Sequence, residues 1–316
     1  MLQFTASSHS TPLFTKLRAA AVARGLTPAT GIPEASEGRA EEATFRPARI
    51  VEGETLQSHS LGAAEPWQEP VAFLDGVQRQ EVIGHLGAVP LVGAVIAAAV
   101  RERRERRFHT VLVVRRRLAI GRPDVLAALK SDLGDMGTVE LDDVEPVHPV
   151  RDLLAARRAV DGARGKLEVE LGLRYRENHD SWLVVDGALS EAALWARDAR
   201  VLGVTKSHAT LPFEGKDLEL YLRLPCGYRS SVFAHASSRF APVYSWALRL
   251  WPWEGKDLFH SLVRIEAAPT DQTIARADQI SRWLLAERAP LSTPDPRWDR
   301  LLYGIHDVET YLKVKR

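Results

Sequence analysis

The spacing of apolar positions predicts strands and helices that alternate along most of the chain. Strand-like apolar runs follow one another at 71–75 (VAFLD), 91–100 (LVGAVIAAAV) and 109–115 (HTVLVVR). The middle run is almost continuously apolar, which is typical of a strand buried on both faces. Helical spacing predicts helices at 13–24, at 123–133 and from Val150 to Tyr175.

A second group of elements predicts a pair of parallel strands. The run SWLVV (181–185) ends at Asp186, the helical pattern ALSEAALWARDA covers 188–199, and a further strand, VLGVTK, covers 201–206. Strand, helix and strand in close succession form a βαβ unit, in which the two strands are parallel.

The last third of the chain is rich in strands and ends in helices. Strands are predicted at 218–224, 230–236, 243–250 and 261–267, and helices at 270–288 and from about His306. The pentapeptide EGKDL occurs at 214–218 and at 254–258, which is interpreted as the start of two similar strands. Residues 1–70 are predicted to be a helix with an irregular extension, because 26–70 are rich in Pro, Gly, Ser, Glu and Thr. Residues 71–316 are predicted to be one mixed α/β domain.

Charge is balanced overall but concentrated locally. Lys and Arg number 42 and Asp and Glu number 41, so the net charge alone does not indicate nucleic-acid binding. Arginines are concentrated in RERRERRFHTVLVVRRR (101–117). This segment is either a solvated loop in which Glu102 and Glu105 neutralise the arginines, or a patch that contacts phosphates.

Cysteine content and apolar runs limit the compartment. Cys226 is the single cysteine, which excludes a disulfide framework, a zinc ribbon and a CxxC pair within the chain. The N-terminal residues lack the basic and apolar regions of a signal peptide. The most apolar window, 86–100, is short for a bilayer span and contains Pro90. We therefore expect a soluble, cytoplasmic protein without a membrane partner.

Two apolar strands each run into an Asp-Gly pair, at Asp75 and at Asp186. Asp-Gly favours a type I′ hairpin turn, and VAFL and VQRQEVIG have the composition to pair across a turn at Asp75. A helix is predicted after Gly187, so Asp186 lies at the carboxyl end of a strand, the edge at which α/β sheets usually carry their sites. Lys206 ends the next parallel strand and is expected at the same edge.

The alternative to turn chemistry is a metal site. If the fold places Asp75 beside Asp186, the two carboxylates repel each other unless a cation neutralises them. Glu168 and Glu170 of the long helix are candidates for a third ligand, and an all-oxygen set suits Mg²⁺ or Mn²⁺. Such a site positions a water for attack on a phosphodiester.

The order of these acids resembles that of RNase H-like nucleases, with an Asp on the first strand, a Glu on a long helix and an Asp ending a later strand. More narrowly, the chain resembles the NurA family of DNA-end-processing nucleases. The segments that carry the resemblance are FLDGVQR (73–79), LVVDGALSE (183–191), VLGVTKSH (201–208), GYRSSVF (227–233), YSWALRL (244–250), LVRIEAAP (262–269) and GIHDVETYLK (304–313). Val77 departs from the family, which more often has Ser after the first Asp-Gly.

The resemblance implies an RNase H-like mixed sheet flanked by helices, with β-rich and helical C-terminal additions. It implies a metal site made by Asp75, Glu168, Asp186 and His306, with Glu170 as the rival of Glu168. Lys206 would contact a phosphate as a point charge. His306 would ligate the metal or assist proton transfer, Asp307 is its alternative, and a plain capping role for His306 also stays open.

The resemblance also implies contacts to DNA. The candidates are Arg101, Arg104, Arg115, Arg116 and Tyr244, with Trp246 as the other aromatic that could stack on a base. For either aromatic a position in the apolar core is the alternative, and the arginines could instead dock a partner protein.

By this resemblance the chain is expected to be a deoxyribonuclease that uses Mn²⁺ or Mg²⁺, a single-strand endonuclease and 5′-to-3′ exonuclease acting on single-stranded and duplex ends. The resemblance also implies a homodimer that acts with a HerA-type hexameric ATPase. The chain itself has no GxxxxGK[ST] loop, so any ATP dependence is expected to come from a partner. The alternatives are a catalytically inactive RNase H-like scaffold of an ATPase complex and an RNase H-like enzyme acting on RNA or RNA–DNA hybrids. The scattered histidines argue against a zinc hydrolase.

Overall fold

The computed structural model describes residues 14–28, 44–190, 192–235, 241–253, 258–290 and 298–314. These residues divide into two compact units. The first unit takes its residues from 1–39, 76–98 and 114–167, and the second from 40–75, 99–113 and 168–316. The boundaries fall inside three long strands and one long helix, so these elements contribute residues to both units. The domain boundary expected at residue 70 stays a prediction.

The helices of the described residues match most of the helical patterns in the sequence. They are α1 (Thr15–Ala23), α2 (Pro123–Ala128), α3 (Pro149–Asn178), α4 (Gly215–Leu222), α5 (Asp271–Ala286) and α6 (Tyr303–Val314). The long helix predicted from Val150 and the two closing helices are confirmed. The start of α5 has a side-chain cap, since the Thr270 hydroxyl accepts a hydrogen bond from Thr273 N at 3.2 Å.

The strands vary from two to sixteen residues in length. They are β1 (Leu26–Pro28), β2 (Thr44–Phe45), β3 (Ala48–Ile50), β4 (Ser58–Ser60), β5 (Val71–Leu86), β6 (Val89–Arg104), β7 (Arg107–Gly121), β8 (Gly137–Glu140), β9 (Trp182–Asp186), β10 (Val201–Thr205), β11 (Thr210–Leu211), β12 (Tyr228–Ser230), β13 (Phe233–His235), β14 (Tyr244–Arg249) and β15 (Leu262–Ala267).

Three parallel strands form the centre of the second unit: residues 71–75 of β5, then β9, then β10. Leu74 lies opposite Val185, and Asp186 lies opposite Val204. The residues of β9 before Asp186 are buried, which explains the uninterrupted apolar run WLVV. Antiparallel strands β15, β14, β13 and β3 continue outward from β10, so the unit has a mixed sheet with helices. This confirms a mixed α/β fold, while the RNase H-like arrangement stays a prediction.

Helices cover both faces of the three parallel strands. A Cβ added at Gly172 of α3 would lie 3.2 Å from Leu74 Cδ1, and one at Gly304 of α6 would lie 2.5 Å from the ring of Phe73. Consecutive side chains of a strand point to opposite faces of the sheet. Helix α3 therefore packs on the face of Leu74, and α6 packs on the face of Phe73.

The first unit has an apolar core of its own. Its members come from α1, α2 and the parts of the long strands in this unit: Phe14, Leu17, Ala21, Ile83, Val89, Leu91, Ala119, Val125, Leu126, Leu129 and Leu133. Arg122 is buried at its edge and donates to Asp152 Oδ2 at 2.9 Å and to Asp143 Oδ1 at 2.6 Å. Its charge is thereby compensated within the unit.

The hairpin turn considered for Asp75-Gly76 is wrong. Strand β5 runs through both residues to Leu86, and the turn comes at Gly87, which has a φ of 59°. VAFL and VQRQEVIG thus belong to one strand that pairs with β6. The pairing of this sixteen-residue strand outweighs the local preference of Asp-Gly for a turn. At the other end of β6, Glu105 and Arg106 have φ of 48° and 65° and form the turn into β7.

The helix predicted over 188–199 is also wrong. Among the described residues of this range only Trp195–Arg197 are helical, as a short 3₁₀ turn. Trp195 is buried against α3, where a Cβ on Gly172 would come within 2.6 Å of its ring. Burial of this indole outweighs the helical propensity of the segment, which therefore does not form the predicted helix.

The strand predicted over 218–224 is mostly helix α4. Its alternating letters, LELYLRL, also place Leu218, Tyr221 and Leu222 three and four positions apart, and these side chains pack into one apolar cluster with Phe213 and Phe233. The first EGKDL therefore leads into a helix, and 254–257 of the second lie outside the described residues. Within the described ranges, no helix combines the length and apolar character that a membrane crossing requires.

Candidate functional site

Asp75 and Asp186 follow the last registered residue pair, Leu74 and Val185, of two neighbouring parallel strands. Such strands lie about 4.8 Å apart, and residues in register project to the same face. Both aspartates therefore project to the face of the sheet that α6 covers. Asp75 is buried, with 8% of its surface exposed, and Asp186 is half-buried.

Lys206 lies one residue past β10 and reaches back to the end of β9. Its Nζ donates a hydrogen bond to Asp186 Oδ2 at 2.8 Å. The structure thus brings Lys206 and Asp186 together at one edge, as the parallel arrangement of their strands predicts. Their side chains are 16% and 24% exposed, so the pair is accessible to a ligand while being partly shielded from water.

The turn after Asp186 is held by a carboxylate that the sequence analysis missed. Glu266 of β15 is 1% exposed, and its Oε2 accepts hydrogen bonds from Leu189 N at 2.8 Å and Ser190 N at 3.1 Å. Its Oε1 accepts from Arg264 Nη2 at 3.3 Å. The signal was present in the sequence, since a charged pair within the apolar strand LVRIEA must find partners if the strand is buried.

Two glycines shape the same turn. Gly187 has a φ of 133°, which favours glycine, and its N donates to Val204 O at 3.1 Å. A Cβ on Gly203 would lie 2.6 Å from Gly187 O and 2.9 Å from Leu189 Cγ. The backbone beyond Asp186 therefore folds directly over β10, and Gly203 is the residue that leaves room for it.

Of the two candidate glutamates on α3, Glu168 faces inward and Glu170 is exposed. Glu168 lies one helical turn before Gly172, so it shares the side of α3 that packs on Leu74. The two aspartates project to the other face of the sheet. The helix therefore brings Glu168 towards the strands from the side opposite to theirs.

Among the described residues, no group of three or more His, Cys, Asp or Glu side chains lies close enough together to hold a metal ion. The oxygen donors of Asp75 and Asp186 fit a hard divalent cation, and Asp186 has Lys206 as its cation. Metal ligation by Asp75, Glu168, Asp186 and His306 stays a prediction.

His306 lies on α6, but another residue of this helix contacts the sheet. Gly304 packs on Phe73, and His306 is two positions further, about 200° around the helix axis. Its Nδ1 is buried without a hydrogen-bond partner among the described residues. Asp307, its alternative, forms an ion pair with Arg101, and burial raises the pKa of this carboxyl.

The arginines of the β6–β7 hairpin are largely engaged within the second unit. Arg101 binds Asp307, donates to Phe108 O at 3.0 Å and lies 4.8 Å above the ring of Tyr311. Arg104 donates to Glu102 Oε2 through Nε at 3.0 Å. Glu102 thus neutralises Arg104, but most of the segment lies in strands β6 and β7 and is not a solvated loop. Contact of its arginines with phosphate stays a prediction.

The other candidates for DNA contact differ in exposure. Arg115 and Arg116 are exposed on the part of β7 that belongs to the first unit. Tyr244 is half-buried, whereas Trp246 is fully buried and donates from Nε1 to Ser281 Oγ at 2.9 Å. Trp246 is therefore a core residue, and Tyr244 is the aromatic of this strand with surface left for a ligand.

Comparison with solved structures shows a similarity of fold. The chain is similar to the NurA nuclease from Sulfolobus solfataricus, with 12% sequence identity, a TM-score of 0.49 and coverage of 81% of each chain. No protein family description and no curated protein sequence matches the chain. A likeness at this level says nothing about chemistry.

Proposed function

We propose that this protein is a divalent-metal-dependent nuclease that hydrolyses phosphodiester bonds of DNA at the carboxyl edge of β5, β9 and β10. The observation that carries the proposal is the position of Asp75 and Asp186 directly after the registered pair Leu74 and Val185 of adjacent parallel strands, with the Lys206 ammonium bound to Asp186 at 2.8 Å. Two acids and one cation at such an edge suit a reaction in which a phosphate and a hard cation meet.

Each residue has a physical task in this reaction. Asp75 and Asp186 hold the cation, and their buried or half-buried positions limit competing water. Lys206 moves from the carboxylate to a phosphate oxygen of the substrate, which its compact charge and flexible stem permit. A bound Mg²⁺ or Mn²⁺ supplies the means to activate a water and to stabilise the leaving oxygen. Glu266 keeps the turn after Asp186 in one conformation, so that the Asp186 carboxylate keeps its position.

The motif resemblance supports the finer parts of the proposal. We propose Glu168 and His306 as further ligands that reach the cation when it binds, with Mn²⁺ as the first metal to try. Single-strand endonuclease and 5′-to-3′ exonuclease action, a homodimer and a HerA-type hexameric ATPase partner are proposed on the same basis. Arg115, Arg116 and Tyr244 are proposed contacts for DNA, because their side chains keep exposed surface.

The test is digestion of 5′- and 3′-labelled single-stranded and duplex DNA with Mn²⁺, Mg²⁺ or EDTA. Wild type is compared with Asp186→Asn and with the matched control Asp198→Asn. Asp198 also forms an ion pair in the second unit, with Arg176 Nε at 2.9 Å and 27% side-chain exposure, but it precedes β10 instead of following β9.

We expect metal-dependent cleavage by wild type and by Asp198→Asn, and none by Asp186→Asn. Equal cleavage by both variants would show that the Asp186 edge is not the reaction site. No cleavage by wild type with either metal, also after addition of a HerA-type ATPase, would favour a scaffold role. Cleavage of RNA or hybrids in preference to DNA would change the substrate but keep the site.

A further inference from the structure

A cleft of about 690 Å³ opens in the second unit, and Lys206, which is hydrogen-bonded to Asp186, is one of the residues that line it. Its walls are the segment 206–209 after β10, Phe259 and His260 before β15, and Asp299 and Arg300 of a short 3₁₀ turn. The cleft is lined mainly by cationic and hydrogen-bonding groups, and Lys206 belongs both to it and to the proposed reaction site. Whatever anion binds here lies next to the bond that the site would cleave.

Arg300 is positioned to offer its guanidinium to this cleft. Its Nη1 donates to Lys206 O at 3.2 Å, which ties the arginine to the end of β10. Its Nε lies 3.6 Å from Asp299 Oδ2, beyond hydrogen-bonding distance, and is buried without a partner among the described residues. The side chain is 34% exposed, so the remaining N–H groups can reach a ligand.

Among the described residues of the cleft wall the acid is Asp299, and it already has other partners. Asp299 is 6% exposed, and its Oδ2 accepts a hydrogen bond from Ser261 N at 2.7 Å and lies 3.3 Å from His260 Nδ1. A carboxylate oxygen with these two partners competes weakly for Arg300. The carboxylate therefore positions the wall and leaves much of the cationic charge for an incoming anion.

Electrostatics at the floor of the cleft point the same way. Burial, together with the positive charges of Arg264, Arg300 and Arg249, lowers the pKa of His208 to about 4. His208 is thus neutral at neutral pH. Its Nε2 donates to Leu262 O at 2.9 Å, and its ring stacks on Phe259 with ring centroids 5.4 Å apart. The three arginines contribute positive potential at His208, and a positive potential favours the binding of an anion such as phosphate.

We infer that this cleft is a second phosphate-binding subsite, in which Arg300 and Lys206 hold the phosphate next to the bond to be cut. The inference rests on the proposed nuclease function and adds to it a site that binds the DNA strand before reaction. Guanidinium and ammonium together match the charge and the hydrogen-bonding geometry of a phosphodiester. Binding of the phosphate by these two side chains requires no metal.

The first experiment is binding of a fluorescein-labelled single-stranded oligonucleotide in EDTA, followed by anisotropy at several salt concentrations. Arg300→Gln is expected to weaken binding about tenfold and to reduce the slope of log affinity against log salt by about 0.7, the value of one phosphate contact on a single strand. Arg300→Lys keeps the charge and should keep the slope. Thermal unfolding of each variant checks that the fold is intact.

Arg200→Gln is the matched control. Arg200 directly precedes β10, whereas the cleft lies beyond the other end of this strand. Like Arg300, Arg200 donates a hydrogen bond to a backbone carbonyl, Asp180 O at 2.6 Å. It also lies 3.6 Å from a carboxylate, that of Glu69. Its loss should leave affinity and slope unchanged. Equal effects of the two substitutions would mean general electrostatics and would overturn the subsite.

A second arm measures hydrolysis of an oligonucleotide with one neutral methylphosphonate beside the mapped cut. This substitution should slow wild type about tenfold and slow Arg300→Gln clearly less, because the Arg300 contact is already lost and only that of Lys206 remains. Unchanged binding and an additive effect in Arg300→Gln would overturn the subsite while metal-dependent cleavage kept the proposed function. Wild type that neither binds nor cleaves DNA would overturn both.

Discussion

The same dipeptide, Asp-Gly, has different surroundings at its two positions in this chain. At Asp75 the strand continues for eleven more residues, up to Leu86, because its partner β6 runs alongside. At Asp186 the strand ends, Gly187 takes a φ of 133°, and two N–H groups of the turn bind Glu266. One aspartate is thus held by a strand and the other by a turn.

This difference teaches that a short motif does not determine its own conformation. Each Asp-Gly follows an apolar strand of similar composition, and both aspartates arrive on the same face of neighbouring strands. What differs is which backbone groups find partners beyond the glycine. Asp75 is fixed by the pairing of a long strand, whereas the position of Asp186 depends on the turn that follows it. Different mutations are therefore expected to disturb the two aspartates.

The largest expected effect tests whether the two aspartates form one site. Asp75→Asn and Asp186→Asn should each slow single-turnover DNA hydrolysis on the order of 10³-fold, and the double variant should be no slower than either, because groups that act as a unit lose function together. Losses that multiply in the double variant would assign the two aspartates to independent steps. Retained activity in either single variant would remove that residue from the site.

The next effect concerns the segment beyond β10, which adjoins the Asp186 turn. The pKa of His208 is lowered to about 4, so between pH 6.5 and pH 4 the unfolded chain binds more protons than the folded one. Stability is full above pH 6.5 and falls as the pH falls through this window, by about 3 kcal/mol for this histidine. Urea unfolding at pH 7 and pH 4 measures the loss.

His208→Asn removes the titrating group and is the control for that measurement. Burial lowers the pKa of His235 to about 4 as well, so wild type loses stability through both histidines. The difference in acid sensitivity between wild type and the variant isolates His208. An identical loss in both proteins would show that its imidazole is solvated in the fold.

A smaller effect is expected from the glycine beneath the turn. A methyl group at position 203 would lie 2.6 Å from Gly187 O, so Gly203→Ala should cost about 2 kcal/mol and displace the turn that carries Asp186. Denaturant unfolding and cleavage rate should fall together. Gly165→Ala is the control, since a methyl there meets open space on α3 and should stabilise by about 0.5–1 kcal/mol.

The smallest effect comes from the carboxylate that holds the turn. Glu266→Gln keeps an oxygen for Leu189 N or Ser190 N but loses the charge that strengthens both hydrogen bonds, at a cost of about 1 kcal/mol. Chemical unfolding measures it, with Glu219→Gln as the exposed control on α4. A loss of stability no larger than that of the control would mean that the turn keeps its conformation without the charge of Glu266.

Local pattern determined a good part of this protein. The apolar runs that became β6, β9 and β10, the parallel pairing of β9 with β10, the long helix α3 and the closing helices α5 and α6 were all readable in the sequence. They were readable because burial on both faces leaves a continuous apolar run, and helical packing leaves a 3.6-residue period. The same logic placed Lys206 and Asp186 at one edge.

Tertiary structure alone decided the rest. The segment 188–199 has helical letters, but Trp195 is buried against Gly172, and 218–224 alternates like a strand but packs as helix α4. Whether Glu168 reaches the aspartates depends on which face α3 covers, and Arg101 has Asp307 as its partner because α6 brings this carboxylate to it. These outcomes depend on contacts between residues far apart in the chain, whose free energy of burial and pairing exceeds the local preferences that a sequence displays.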